Sequence, residues 1–275
     1  MDLKLGGAVG FWLLKTLLGK PVAGSTHHAA VNEVGIGVSK LEHFWGPEFI
    51  SSLRGKRVLD FGCGRGREAV AVALGGALRV YGIDIREDCL HAARELAVES
   101  GVGDRCMFLN ADTEHAVISR EVTNLDFAFS LDSFEHYACP GEILVQIYGH
   151  LCPGGRLFVS FGPPWKHPRG CHMMFFRPVP WMHLVFKEET IMAVRSLYKT
   201  DGATRFEEVE GRLNKITVGG FLRLVEQSGF KVEHTRLIPI KGIKWLVQTR
   251  RLREYFTSVV QCVLVKPSAS AKRAT

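Results

Sequence analysis

Val58 to Gly66, reading VLDFGCGRG, gathers the residue types best suited to holding a ligand. An apolar run ends in Asp60, and glycines follow at 62, 64 and 66. Glycine reaches backbone angles closed to other residues and lets a ligand approach the main chain, so the pattern predicts a strand, a tight turn and a helix N-terminus at a nucleotide-type site. Further acidic residues recur after apolar runs: Asp84 after RVYGI, Asp112 in NADT, and Asp132 after Leu131. A carboxylate on the order of 20 residues beyond such glycines can accept hydrogen bonds from two vicinal ribose hydroxyls. Asp112 with Thr113 can accept from an exocyclic amine, with a plain Asn-Asp loop turn as the competing explanation.

A second set of residues can move protons. Glu135, His136, His172 and His183 all lie in predicted loops, and imidazole titrates near neutrality. His136 and His172 are the preferred candidates, and an ordinary hydrogen-bonded structural role competes at each histidine. Trp165, Phe175, Phe176 and Trp181 read either as core or as the apolar wall of a pocket.

These residues need elements to position them. Strands are predicted over 79–83, 106–109, 125–131 and 156–161, besides the one that leads into Asp60. Helices are predicted over 41–53, 68–74, 88–99 and 142–151, with 3–18 as a short apolar helix and another near 188–198. Gly75-Gly76 and Gly101 mark helix stops. Strands alternating with helices imply a parallel sheet covered on both faces, with ligands bound beyond the carboxyl ends of its strands. Asp60, Asp84, Asp112 and Asp132 all fall at such ends.

Composition bounds the partners. The chain has 275 residues, 46% hydrophobic and 23% charged, with a formal charge of +7 and a pI near 9.1. That charge admits an anionic partner without demanding one. Seven cysteines, odd in number and without CxxC spacing, predict reduced thiols in a cytoplasmic protein and no metal site. The apolar run near the N-terminus falls short of the ~20 residues a membrane span needs. It is expected to pack on the protein's own body, with peripheral contact to a membrane or a partner as the rival. His27 to Gly37 reads as an irregular, Gly-punctuated stretch.

From Lys56 to Phe161 the order of motifs resembles the class I S-adenosylmethionine-dependent methyltransferases. VLDFGCGRG is similar to their first motif, YGIDI to the second, NADT to the adenine-contacting loop, LDFAFSLDSFEH to the fourth-strand motif, and LCPGGRLFVSF to the turn into the fifth strand. The resemblance implies an α/β, doubly wound, seven-stranded, mostly parallel Rossmann-like sheet. Its sixth and seventh strands would be 230–237 and 258–265, the last antiparallel, with Thr217 capping a helix over 218–228. It implies a single domain over 1–275, with an N-terminal helical cap (1–55) and a lid insertion (162–216) between strands five and six.

The same resemblance implies S-adenosylmethionine as cofactor. Gly62, Gly64 and Gly66 would cradle its methionine end and Asp60 would orient the amino group. Asp84 would hold the ribose, Ile85 would lie on the adenine, and Asp112 with Thr113 would read its edge. Cys63, Ser130 and Leu131 also fall at cofactor-contacting positions. The expected reaction is in-line methyl transfer to a small, partly apolar acceptor, aided by a loop histidine. The rivals are a nucleic-acid methyltransferase, a non-catalytic binding module of the same fold and, more weakly, a nicotinamide oxidoreductase. The absence of an Asn- or Asp-Pro-Pro-aromatic tetrad after the fourth strand argues against nucleic acid, because Pro163-Pro164-Trp165 follows the fifth strand instead.

Overall fold

The computed structural model describes residues 4–19, 39–173 and 175–268. The stretch expected to be irregular, His27 to Gly37, lies outside them. The strands are β1 (Arg57–Phe61), β2 (Arg79–Asp84), β3 (Cys106–Asn110), β4 (Leu125–Leu131), β5 (Leu151–Phe161), β6 (Lys231–Pro239) and β7 (Thr257–Val265). The helices are α1 (Gly7–Leu18), α2 (Lys40–Trp45), α3 (Phe49–Ser52), α4 (Arg67–Leu74), α5 (Glu87–Glu99), α6 (His115–Glu121), α7 (Pro140–His150), α8 (Met182–Val185), α9 (Glu188–Arg195), α10 (Val218–Gln227) and α11 (Arg253–Phe256), with a 3-10 turn over Lys244–Gln248.

The seven strands form one sheet in the order β3-β2-β1-β4-β5-β7-β6, in which β7 runs antiparallel to both of its neighbours. This is the expected α/β architecture. Alternation along β1 sends Val58 to one face and Leu59 to the other, and each face is sealed by its own apolar cluster. One cluster holds Val58, Val80, Phe129 and Phe158 with α4 and α5, and the other joins Leu59, Ile83 and Phe161 to α7 and α10. A third cluster lies in the segment 162–216, expected to form a lid, where Leu14 and Leu18 of α1 pack with Phe176, Met182, Ile191 and Phe206.

Several boundaries differ from the sequence expectations. The helix expected over 41–53 is split into α2 and α3 at Gly46-Pro47, where Gly46 takes a φ of 102° and proline cannot donate to the helix. Strand β5 begins at Leu151, because Leu151 pairs with Leu125 ahead of a bulge and Gly154 donates to Lys266 O over 2.8 Å. Helix α6 was absent from the sequence pattern, and α9 ends at Arg195. Thr217 caps α10 as expected, its Oγ1 accepting from Gly220 N over 3.0 Å.

Candidate active site at the carboxyl ends of β1, β2 and β4

The glycine turn opens where β1 ends. Gly62 and Cys63 both donate their amides to Ile83 O, at 2.8 and 3.0 Å, which folds the turn across the end of β2. Gly64 then donates to Asp84 Oδ2 over 2.8 Å. The other Asp84 oxygen accepts from Arg86 N at 3.0 Å and Arg86 Nε at 3.4 Å. A carboxylate has about four lone-pair directions and Gly64 N, Arg86 N and Arg86 Nε take three, so Asp84 has room for one further donor, and for a second where the long contact to Arg86 Nε gives way.

The three glycines serve different ends. At Gly62, with φ 83°, a Cβ would sit 2.6 Å from Ser133 Oγ and 2.7 Å from Tyr137 OH. At Gly66 it would sit 2.7 Å from Ala93 Cβ, so this glycine lets α4 close onto α5 and Phe108. Gly64 is the open one, its nearest neighbour being Arg86 Nη2 at 3.6 Å. Packing therefore demands two of the glycines, and backbone access for a ligand centres on the third. Cys63 lies partly covered between them, and burial pushes its thiol well above the ordinary range.

Carboxylates crowd this strand end. Asp60 is buried, and burial first, then the Glu68 and Asp84 charges, holds its pKa well above the ordinary carboxylate value. The N-terminal cap reaches the same place. Ser39 Oγ and Lys40 N both donate to the Glu68 carboxylate, the latter over 3.0 Å, and Lys40 Nζ pairs with Asp132 Oδ2 at 2.7 Å. Asp132 sits at φ 51°, and its amide is held by Ser160 O at 2.8 Å. Glu68 and Lys40 went unnoticed in the sequence, where a first-turn glutamate and a cap lysine look like solvated charges.

At the end of β3, Asp112 and Thr113 are exposed. The amide of Asp112 donates to Asn110 Oδ1 over 2.9 Å, so the Asn-Asp turn is present. Asn110 is the buried member of the loop and bonds Glu87 Oε2 at 3.0 Å and Ile85 O at 3.4 Å. Ile85 presents an apolar surface, 57% exposed, beside Asp84. Ser130 is fully buried, its Oγ 2.8 Å from Tyr137 OH, which donates to Phe61 O at 2.8 Å. Leu131 O accepts from Ser133 Oγ. Tyr137, which sequence reasoning missed, thus ties β4 to the glycine turn.

The loop after β4 carries the proton-transfer candidates. Glu135 is buried: Oε1 accepts from Gly162 N at 3.0 Å, while Oε2 has no hydrogen-bond partner. Burial raises its pKa to about 7, against a lowering by His136 and with a further rise from Asp132. His136 Nδ1 is 2.7 Å from Arg212 O, and a carbonyl can only accept, so Nδ1 carries the proton and Nε2 is the basic nitrogen of the neutral ring. The rings of His136 and His172 meet edge to face at 5.7 Å, and His172 Nε2 donates to Pro163 O over 3.1 Å. Asn214 fastens the lid here, donating its amide to Glu135 O and its side chain to Phe134 O and Tyr137 O.

Glu135 and His172 line a small cavity with Pro163, Trp165, Leu213 and Lys215. Lys215 also borders a larger one of about 640 Å³ between α9 and residues 199–207. His183 stands apart, inside the lid, with Nε2 at 2.5 Å from Trp165 O and its ring against the Trp165 indole. Burial depresses its pKa to about 4, so it stays neutral. No group of residues with metal-ligand geometry exists among the described residues.

The residues fit a cationic, nucleoside-like ligand. Four carboxylates, Asp60, Glu68, Asp84 and Asp132, lie about an open backbone turn against two cations, Lys40 on Asp132 and Arg86 on Asp84, and a diol would take the Asp84 oxygens in place of Arg86 Nε.

Comparison with known proteins places this geometry. Residues 58–155 match a family model described as a methyltransferase domain. The chain is 36% identical over 116 residues to the ubiquinone biosynthesis O-methyltransferase of Aeromonas salmonicida, covering 42% of this chain and 47% of that protein. It is 33% identical over 103 residues to the 27-O-demethylrifamycin SV methyltransferase of Amycolatopsis mediterranei, covering 38% and 37% of the two chains. The match thus spans about half or less of these curated relatives. Among solved structures, an S-adenosylmethionine dependent methyltransferase from Mesorhizobium loti superposes with a TM-score of 0.51 at 20% identity, over 78% of this chain and 92% of that one. The [4+2]-cyclase SpnF superposes with 0.52 at 16% identity, over 81% and 80%. These structural likenesses concern the fold alone, and the cyclase demonstrates that one fold hosts more than one chemistry.

Proposed function

Because the chain carries a methyltransferase domain of the class I S-adenosylmethionine-dependent fold, we propose that it transfers a methyl group from S-adenosylmethionine to a hydroxyl of a small, partly apolar acceptor. The observation that carries this reading is the Gly64 amide on Asp84 Oδ2, which sets a diol-binding carboxylate beside the open backbone of the glycine turn. The names of the relatives, both O-methyltransferases, favour oxygen as the acceptor atom.

When bound, S-adenosylmethionine supplies a methyl carbon activated by its positive sulfur. The chain's own residues do the rest. Asp84 accepts from the ribose hydroxyls and Ile85 lies against the base, with Asn110 holding that strand end in place and Asp112 and Thr113 at the loop's edge. Asp60 faces the amino end, where a ligand cation offsets the burial that otherwise favours its protonated form. Gly62, Cys63, Gly64 and Gly66 supply the turn, and Ser130 and Leu131 support it from β4. The cavity bordered by Glu135, His172 and Trp165, about 10 Å³, has room for the acceptor's hydroxyl group alone, and the rest of the acceptor lies outside it along the loop that carries His136. His136, fixed by Arg212 O, takes the hydroxyl proton at Nε2, while the unpartnered Oε2 of Glu135 orients the acceptor. His172 steadies the His136 ring, and His183 holds the lid without touching substrate. Alignment of acceptor and methyl carbon supplies much of the rate, since orientation effects reach about 7 to 11 kcal/mol.

The test is transfer of radiolabelled methyl from S-adenosylmethionine to a panel of hydroxylated aromatic and aliphatic compounds. His136→Asn keeps a donor for Arg212 O but removes the basic nitrogen. It should lower kcat by roughly 10²- to 10⁴-fold with little change in KM. Unaltered turnover would show that proximity alone suffices, and failure of the wild-type chain to bind the cofactor would end the reading.

A further inference from the structure

Apart from Lys15 and Thr16 in its last turns, helix α1 is built of apolar residues and glycine, and it keeps apolar side chains on its outward as well as its inward side, which is unusual for a helix at a surface. Its inner stripe, Gly10, Leu14 and Leu18, is buried on the lid. Gly10 makes the close approach possible, since a Cβ there would stand 3.1 Å from the Leu5 carbonyl carbon and 3.6 Å from Thr190 Cγ2 of α9. The N-terminal end is pinned to the segment containing α8: Leu5 N donates to Val185 O at 2.9 Å, and Lys187 N donates to Leu5 O at 2.8 Å.

The opposite stripe is open. Val9 and Trp12 lie about one turn apart on the outward side of α1 and are 76% and 66% exposed, while Leu5, in the bridge that precedes the helix, is 42% exposed and Val185 of α8 is 45% exposed beside it. Cations flank this face. Lys15 lies one turn beyond Trp12, Lys187 crosses Gly6, and Lys4 reaches His183 O at 3.2 Å. No acidic residue occurs between Lys4 and Gly19. Of the two glutamates that follow Lys187, Glu188 is engaged by Lys215 at 2.9 Å.

We propose that the α1–α8 face docks on an anionic lipid bilayer, with Val9 and Trp12 entering the headgroup boundary and Lys4, Lys15 and Lys187 meeting lipid phosphates. Twelve residues rise about 18 Å along a helix, and no described helix is long and apolar enough to cross a membrane, so α1 lies in the interface plane. Tryptophan suits that depth because its ring is apolar and its N–H seeks water. A second copy of the chain is the poorer occupant. A symmetric pair through the same face would set its lysines against their own counterparts, whereas anionic headgroups neutralise them. The lid that binds α1 also walls the cavity bordered by Glu135, so the docked face would bring that cavity near the bilayer; the binding itself does not depend on the transfer chemistry.

The experiment is flotation of the full chain with vesicles of phosphatidylcholine alone or with added phosphatidylglycerol, at low and high salt. Co-flotation with the anionic vesicles, weakened by salt, is expected. Trp12→Ala and Val9→Asp should each cut partitioning by on the order of tenfold, and Lys15→Glu and Lys187→Glu by about fivefold each, with the melting temperature held as the control for folding. Absence of flotation on both vesicles, or flotation indifferent to Trp12→Ala, overturns the proposal. So does a Trp12-dependent dimer seen by light scattering without vesicle binding, which would make a second copy the occupant.

Discussion

The amide of Gly64 donates to Oδ2 of Asp84 over 2.8 Å, joining the turn after β1 to the carboxylate at the end of β2. The bond fixes Oδ2 of Asp84, and the Arg86 amide and guanidinium hold Oδ1, so the carboxylate is set in one orientation. Replacing Asp84 therefore removes the tether of the turn and, on the proposed reading, a ribose contact. A hydrogen bond to a charged group contributes roughly 1.5 to 3 kcal/mol. Asp84→Ala should weaken S-adenosylmethionine binding tenfold or more in calorimetry, and unchanged affinity would remove Asp84 from the site.

Gly62 tests packing instead of ligand access. An added methyl would meet Ser133 Oγ at 2.6 Å and Tyr137 OH at 2.7 Å on a backbone at φ 83°. Both effects oppose Gly62→Ala, and overpacking alone costs about 1 to 3 kcal/mol. Chemical denaturation should register a loss of that size or more. Gly64→Ala, at an open position, should cost less stability and more cofactor affinity.

Glu135 gives a pH signature. Its pKa in the folded chain is raised to about 7, chiefly by burial, against about 4.3 for an unfolded glutamate. Between those values the native state holds more protons than the unfolded one, so stability falls as pH rises from near 4.3 and levels off above about 7. The linked change is about 4 kcal/mol at most. Glu135→Gln should flatten the melting temperature across that range, and an unchanged slope would place the titration elsewhere.

Lys40 holds the N-terminal cap over the site. Its ion pair with Asp132, 26% and 19% exposed, is partly screened, so Lys40→Ala should cost about 1 kcal/mol or less in global stability. The local effect should be larger. Amide exchange in α2 should quicken while β1 and β4 keep their protection, and equal protection of α2 in both proteins would leave docking to Ser39 and Glu68.

The sheet was legible because its signals are local. Apolar runs of strand length, glycine stops and the strand-end carboxylates at 60, 84 and 132 announce themselves within a few residues, and the antiparallel final strand followed from a family resemblance. The split between α2 and α3 has a local signal too, Gly46-Pro47, which the apolar pattern around it overrides. Short α6 offered too few turns for periodicity to show.

What sequence by itself determined about this protein is the order of β1 to β5 with α4, α5 and α7 between them, and the strand ends where Asp60, Asp84 and Asp132 must sit, because backbone angles and side-chain period depend on near neighbours. Tertiary structure alone decided that Gly62 is required by Tyr137, that Lys40 meets Asp132 across 92 positions, and that Arg212 sets the His136 tautomer across 76. It also separated His183, neutral in the lid, from Glu135, whose carboxyl is buried with one oxygen unpartnered. Burial and hydrogen-bond partners arise from chain segments brought together by folding, and no local pattern encodes which oxygen or nitrogen is left to do chemistry.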